Sequence, residues 1–212
     1  MSKPILGYYN VRGYAQPIRN LLAYAGVDFI DKRYPMDPVQ LASPEWQAEK
    51  HTFGFDFPNT PYLIDGDVKL TQSLAILRYL ARKYGLEGAT ETEKNRIALL
   101  EQQINDLQTS FFLSLLKGDE AAFLQTLPDQ LAGVSAFLGV NQFAAGSSVA
   151  YVDFLLYEYL VRVLVYKPEI IGRFENLVQY IKRIEALPRL AEWIKKLGPT
   201  KFSAVSVFPF SL

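Results

Sequence analysis

A chain of 212 residues, half of them hydrophobic, can bury the core of one large domain or of two small ones. Its 22 basic and 22 acidic residues balance and form no basic run, so a nucleic-acid partner has no electrostatic support. Cysteine is absent and His51 is the single histidine, which excludes disulfides, thiolate or histidine metal sites, catalytic cysteines and Ser-His triads. We expect no membrane span and no signal peptide, because no apolar run is long enough and no basic-then-apolar segment opens the chain.

The first third of the chain predicts a β-α-β unit. Residues 4–9 are a short β-prone run, and residues 28–34 alternate as a strand does. Between them, Pro17 suits the first turn of a helix that ends at Gly26. A helical crossover of this kind makes the two strands parallel and adjacent.

Residues 59–73 predict a strand, a tight turn, a second strand and the start of a helix. The Asp-Gly pair at 65–66 favours a two-residue hairpin turn, because both residues tolerate positive φ. A helix that opens from a strand end points its free N–H groups and its positive dipole outward, which makes an anion site. Gln72 and Ser73 would orient a carboxylate there. The alternative is that Thr71 caps the helix and does nothing more.

The element order of this N-terminal part is thioredoxin-like. A helical turn at 45–50 would carry Trp46 and Lys50 on one side. It completes the order β-α-β-(α)-β-β-α, with Pro61 just before the third strand. A cis bond before Pro61 would expose backbone groups for pairing with an extended ligand, and the sequence leaves the isomer open.

The rest of the chain is predicted to be helical, so the fold class is α/β followed by all-α. The predicted domains are a thioredoxin-like domain at 1–84, a linker at 85–91 and an all-helical domain at 92–212. Residues 151–166 are apolar nearly all round, which favours a helix buried inside the second domain.

Several stretches resemble the cytosolic glutathione transferases of the mu class. They are the segments Ile5-Leu6-Gly7-Tyr8 with Arg12-Gly13, residues 56–62, Thr71-Gln72-Ser73 and Val152-Asp153-Phe154. The similarity covers nearly the whole chain, and residues 157–160 and 174–177 resemble arthropod members, including mite group 8 allergens. The resemblance implies a cytoplasmic homodimer that conjugates the thiol of glutathione to small hydrophobic electrophiles in detoxification. It implies no cofactor besides glutathione as co-substrate, no metal, no nucleic acid and no membrane.

The resemblance makes Tyr8 the catalytic residue. A thiol of pKa about 8.5 is only a few per cent ionised at pH 7, and lowering its pKa by about two units needs about 2.7 kcal/mol of anion stabilisation. A phenol of pKa about 10 stays protonated at pH 7 and can donate a hydrogen bond to the sulfur. Tyr8 ends the first strand just before a helix whose N-terminal field also favours an anion. Without the flanking motif, a tyrosine at this place would be interpreted as a core residue.

The other site residues follow from the same resemblance. Trp46 and Lys50 are implied to hold the glycyl carboxylate, and the backbone of Thr60 to pair with the cysteinyl part. The implied glutathione-binding residues are Tyr8, Tyr9, Trp46, Lys50, Asn59, Thr60, Pro61, Gln72, Ser73 and, across the dimer, Asp106. The electrophile pocket is implied to include Val11, Tyr14, Phe112, Leu116 and Phe208. The dimer interface is implied to include Phe57 and Arg78.

Some positions depart from the family's pattern. Tyr9 replaces a tryptophan, Leu116 a tyrosine, and Ala150 the serine or threonine that caps the buried helix. Ser43 replaces an arginine, and losing such a charge-assisted bond costs about 1.5–3 kcal/mol. These departures motivate a second hypothesis, a catalytically weak ligand-binding or structural protein of the same fold. A third, a thiol-disulfide oxidoreductase, fails because the chain has no cysteine.

Overall fold

The computed structural model describes residues 2–37, 42–198, 201–202 and 210–211. The chain divides into two compact units, of which Gly85–Leu187 forms one. The other combines Met1–Tyr84 with the chain from Pro188 onward. The linear division predicted from the sequence placed that last part with the helical domain instead.

The first unit is built on a four-stranded sheet in the order β2-β1-β3-β4. Its strands are β1 (Ile5–Tyr9), β2 (Ile30–Tyr34), β3 (Tyr62–Asp65) and β4 (Val68–Thr71). The strands β1 and β2 are parallel, as the β-α-β pattern predicts, and β3 runs antiparallel to β1 and to β4. The helices of the first part are α1 (Gln16–Tyr24), α2 (Pro44–Glu49) and α3 (Ser73–Tyr84).

The hairpin turn lies one residue later than the sequence predicted. Asp65 pairs with Val68 in the ladder, so Gly66 and Asp67 form the turn, with Gly66 at φ +63°. A glycine at the first turn position suits a type II′ hairpin. Asp65 stays in the strand, where its carboxylate accepts a hydrogen bond from the Tyr79 hydroxyl at 2.9 Å and pairs with Lys83.

The second unit is helical, as predicted. It contains α4 (Glu91–Lys117), α5 (Glu120–Leu138), α6 (Tyr151–Tyr166), α7 (Pro168–Ile171) and α8 (Glu175–Glu185). Its core is formed around α6, whose residues from Tyr151 to Val163 are all buried. At the start of α4, Thr90 accepts a hydrogen bond from the N–H of Glu93 at 3.2 Å, and the Glu93 carboxylate accepts one from the N–H of Thr90 at 3.0 Å. This reciprocal capping box explains why the helix begins there.

The helix α9 (Pro188–Leu197) packs against α1 in the first unit. The indole ring of Trp193 lies 6.1 Å from the ring of Phe29, and Leu190 is fully buried. The strands β5 (Lys201–Phe202) and β6 (Phe210–Ser211) pair antiparallel further along the chain. Among the described residues, no helix is long and apolar enough to cross a membrane.

Candidate active site

Three predicted site residues lie at the same end of the sheet's strands. Gly7 pairs with Tyr62 on β3, so the register continued by one residue places Tyr8 beside Pro61. Tyr62 pairs with Thr71 on β4, and Gln72 follows Thr71 directly, so Pro61 and Gln72 flank the last paired residues at the same end of the sheet. Tyr8, Pro61 and Gln72 therefore form a row at one end of three neighbouring strands, and such strands lie about 5 Å apart.

Tyr8 is the last residue but one of β1 and is 3% exposed. Its hydroxyl oxygen accepts a hydrogen bond from the backbone N–H of Tyr14 at 3.3 Å. Gly13 lies directly against this hydroxyl, because a Cβ at Gly13 would lie 2.5 Å from the oxygen. The loop between β1 and α1 therefore closes tightly over the tyrosine.

The second part of the row precedes β3. The bond between Thr60 and Pro61 is cis, which the sequence left open. The N–H of Thr60 donates to the side-chain oxygen of Asn59 at 2.8 Å. Pro61 is buried, whereas the Asn59 side chain is exposed.

The third part is the start of α3. The helix begins at Ser73, and the N–H of Ile76 donates to the Gln72 carbonyl at 3.0 Å. Gln72 is exposed and has φ +71°, an uncommon and strained conformation for a residue other than glycine. Thr71 does not cap the helix: it lies in β4, and its hydroxyl donates to the Phe57 carbonyl at 2.8 Å. The capping alternative for Thr71 was therefore wrong.

The helix α2 presents the two residues predicted to hold a carboxylate. Trp46 is buried, and its ring stacks on Tyr62 at 5.5 Å and on Phe53 at 6.3 Å. Lys50 ends the helix half-buried, and its ammonium has no ion pair or hydrogen bond among the described residues. Ser43 is fully buried and accepts a hydrogen bond from the N–H of Trp46 at 3.4 Å. It therefore caps α2.

A hydrogen-bonded network under α2 was not predicted from the sequence. Glu49 accepts hydrogen bonds from Lys32 at 2.5 Å and from the Tyr34 hydroxyl, which lies 2.7 Å from the Tyr62 hydroxyl. Burial, followed by the bond to Glu49, raises the pKa of Tyr34 far above its ordinary value. The bond from Lys32 and the one from Tyr34 lower the pKa of Glu49 against the opposing effect of burial. Glu49 thus stays ionised and holds α2 on the sheet.

The remaining predicted residues lie elsewhere. Val11 and Tyr14 follow Tyr8 in the first unit and are half-buried, as is Tyr9. Asp106 is exposed on α4, and Phe112 is half-buried on the same helix of the second unit. Phe208 and the side chain of Leu116 lie outside the described residues. A cleft of about 590 Å³ among α5, α8 and their connections contains none of the predicted residues.

Comparisons with known proteins identify the protein family to which the chain belongs. A family model for the N-terminal domain of glutathione S-transferases matches residues 4–82, and one for their C-terminal domain matches residues 94–197. The chain therefore belongs to the glutathione S-transferase family.

The individual relatives narrow the class. The chain is 50% identical to a glutathione S-transferase of Dermatophagoides pteronyssinus, over 96% of this chain and 95% of the relative. It is 40% identical to glutathione S-transferase Mu 1 of Mus musculus, over 96% and 94%. Among solved structures, glutathione S-transferase Blo t 8 matches with a TM-score of 0.82 and 37% identity, over 90% of this chain and 91% of that one. The similarity is thus to the mite and mu-class enzymes, as the motifs predicted.

Proposed function

We propose that the protein conjugates the thiolate of glutathione to hydrophobic electrophiles, with Tyr8 as the residue that stabilises the thiolate. The observation that supports this most directly is the row formed by Tyr8, the cis Pro61 and the start of α3 at one end of the sheet's strands. The row combines a phenol, an exposed stretch of backbone and a helix N-terminus. A tripeptide with a thiol at its centre and carboxylates at its ends fits these groups.

In the proposed reaction the glutathione thiol loses its proton to water. Tyr8 stays protonated and donates its hydroxyl hydrogen to the sulfur anion. The anion then forms a bond to an electrophilic carbon while the leaving group departs with the bonding electrons. A hydrogen bond to a charged group contributes about 1.5–3 kcal/mol. Lowering the thiol pKa by two units needs about 2.7 kcal/mol, so one such bond supplies most of it.

Different residues are proposed to bind the two carboxylates of glutathione. The γ-glutamyl carboxylate is proposed to lie at the start of α3, where Gln72 and Ser73 meet the positive end of the helix dipole. The glycyl carboxylate is proposed to lie near Lys50, whose ammonium has no partner among the described residues. Ser43 caps α2 and carries no charge, so Lys50 would be the main cation for this carboxylate.

The dimer is a further part of the proposal. Phe57 is 74% exposed, and the hydroxyl of Thr71 holds its carbonyl at 2.8 Å, so a large apolar side chain projects from a fixed loop. In the second unit, a hollow of about 280 Å³ between α4 and α5 is lined by Leu99, Val134 and Phe137. Leu99 is 64% exposed. We propose that Phe57 of one copy enters this hollow in the other, with Asp106 reaching the partner's glutathione.

The dimer proposal is tested by replacing Phe57 with serine. Light scattering on the Phe57→Ser variant should give the mass of a monomer, since the apolar anchor is lost. Val140→Ser is the matched control, because Val140 is fully exposed and lies outside the hollow. A Phe57→Ser variant that stays dimeric overturns this part of the proposal.

The activity is tested with several aromatic halides at varied glutathione concentration, together with retention on immobilised glutathione. Turnover with retention supports the enzyme. Retention without turnover supports the ligand-binding alternative, which no comparison favours. Loss of both overturns the proposed function. We also propose that glutathione is the only small molecule needed besides the electrophile, and that the protein works in the cytoplasm, as its mu-class resemblance implies.

A further inference from the structure

The helix α1 carries polar side chains on its buried face. Gln16, Arg19 and Asn20 are all fully buried in the first unit. A buried guanidinium is costly unless other groups compensate its charge and hydrogen bonds. The contacts of Arg19 show what the charge does at this place.

Arg19 lies between α1, β2 and the loop after Tyr8. Its Nε donates to Oδ1 of Asp31 at 3.0 Å, and its Nη1 donates to the Val11 carbonyl at 2.9 Å. Its Nη2 is buried and has no hydrogen-bond partner among the described residues. The guanidinium group is therefore hydrogen-bonded through Nε and Nη1 but not through Nη2.

Asp31 does not neutralise Arg19 alone. Its second oxygen, Oδ2, lies 2.6 Å from Nη2 of Arg33 and accepts a hydrogen bond from Nε of the same residue at 2.8 Å. Two arginines thus share one carboxylate, which leaves one net positive charge in the cluster. Arg33 is partly exposed, whereas Arg19 is shielded from solvent, so the field of Arg19 is less screened.

The same two arginines hold the loop that follows Tyr8. Nη1 of Arg33 donates to the side-chain oxygen of Asn10 at 3.2 Å, and Arg19 holds the next residue, Val11, by its carbonyl. At the far end of the loop, the N–H of Tyr14 donates to the Tyr8 hydroxyl oxygen. The loop is therefore fixed to the cluster at one end and to the hydroxyl at the other.

Arg19 also interacts electrostatically with Tyr8, which is the smallest of the influences on the pKa of Arg19. The interaction favours the charged form of Arg19. Burial is the larger effect and lowers the pKa of Arg19, while Asp31 opposes it. An arginine stays protonated in proteins in any case, so the positive charge of Arg19 is permanent.

We propose that Arg19 is a positioning residue for thiolate formation: together with Asp31 and Arg33 it holds residues 10–14 against Tyr8 and places a net positive charge on that side of the hydroxyl. This inference rests on the proposed function of Tyr8. The hydroxyl would then be held in one orientation, and the surrounding potential would favour an anionic sulfur over a neutral one. A single hydrogen bond to sulfur supplies most of the thiolate stabilisation, and the cluster would supply the rest.

The test is a titration of the glutathione thiol bound to each variant, followed by its thiolate absorbance. Arg19→Met removes the charge and the contacts with Asp31, Val11 and Gln16, and we expect about a tenfold smaller thiolate fraction near pH 6, since one pKa unit is a tenfold change. Arg19→Lys keeps the charge but cannot reproduce all of these contacts, so its loss should be smaller. Arg33→Gln, in which a partly exposed residue is changed, should shift the titration in the same direction by less. Arg82→Gln is the matched control, because Arg82 is exposed in the last turn of α3.

Tyr8→Phe separates this inference from the function on which it rests. If Tyr8→Phe leaves the bound thiol's titration unchanged, the proposed function itself fails. If Tyr8→Phe shifts the titration while folded Arg19→Met and Arg33→Gln do not, the role of Arg19 is contradicted and Tyr8 retains its own. If Arg19→Met does not fold, Arg19→Lys and Arg33→Gln decide the matter. A loss of melting temperature alone, with an unchanged titration, marks Arg19 as merely structural.

Discussion

The hydroxyl of Tyr180 on α8 donates a hydrogen bond of 2.6 Å to the Asp153 carboxylate, which is fully buried at the start of α6. The same carboxylate accepts the N–H groups of Ala144 and Ala150, each at 2.8 Å. Burial is the largest influence on Asp153 and raises its pKa from 3.8 to about 6, against the effect of these three hydrogen bonds. The group links the connection before α6 to α8 within the second unit.

Asp153 should make stability depend on pH. Because its folded pKa lies above the unfolded value, its protonated form contributes stability that is complete below about pH 4 and is lost as the pH rises through about 6. Two pKa units correspond to a change on the order of 3 kcal/mol. The difference in unfolding free energy between the wild type and Asp153→Asn should therefore shrink from pH 4 to pH 6 in urea titrations. A constant difference would contradict the raised pKa.

The start of α6 offers a stabilising substitution. Ala150 is the N-cap and provides no side-chain hydrogen bond, although its extended backbone suits a capping residue. Ala150→Ser should add a bond to the helix N–H groups and raise the unfolding free energy by about 1 kcal/mol. Ala98→Ser, at an exposed position inside α4, is the control and should lower stability slightly, since serine is a poorer helix former than alanine. Equal effects of the two substitutions in thermal unfolding would show that the cap is not involved.

Gly13 should be essential for the placement of the Tyr8 hydroxyl. A Cβ at this position would lie 2.5 Å from the oxygen, and the backbone φ is +41°. Gly13→Ala should therefore displace the hydroxyl and reduce kcat at least tenfold. Gly118→Ala is the matched control: Gly118 has φ +68°, and no atom lies within 4 Å of the place that its Cβ would take, so the substitution imposes backbone strain without a clash. Comparable kcat losses in the two variants would contradict the steric explanation.

Gln72 should lower the stability of the fold through its backbone conformation and strengthen glutathione binding through its side chain. Its φ of +71° costs about 1 kcal/mol or more, which glycine would relieve. Gln72→Gly and Gln72→Ala should both weaken glutathione binding, measured by calorimetry, because each removes the amide. The glycine variant should melt at a higher temperature than the alanine variant. If the two variants bind glutathione as tightly as the wild type, the side chain is not part of the site.

The sequence predicted those features that local patterns determine. The parallel pair β1 and β2 follows from the alternation and the crossover, and the buried α6 follows from its apolar residues on all sides. The turn at Gly66 was misplaced by one residue, because the bonds from Tyr79 and Lys83 to Asp65 come from α3, 14 and 18 residues further along the chain. Where α9 packs on α1, the indole N–H of Trp193 donates a hydrogen bond to the side-chain oxygen of Asn20 at 3.2 Å. These two residues are far apart in the chain, so no local pattern predicts the contact.

The candidate site shows the same division. Motifs alone predicted Tyr8, Trp46 and Gln72 as site residues, because a short run of residues carries each one. Arg19 was missed, since its partners come from another strand and from a loop, and no local pattern reports that two arginines share Asp31. An arginine between apolar residues of an amphipathic helix was the available signal.

The measurement closest to the central claim is the pKa of the glutathione thiol bound to the wild type and to Tyr8→Phe, read from the thiolate absorbance. In the proposed mechanism the phenol accounts for most of the anion stabilisation, so the variant should bind glutathione with similar affinity and titrate about one to two pKa units higher. A variant whose bound thiol ionises at the wild-type pH would contradict the role assigned to Tyr8.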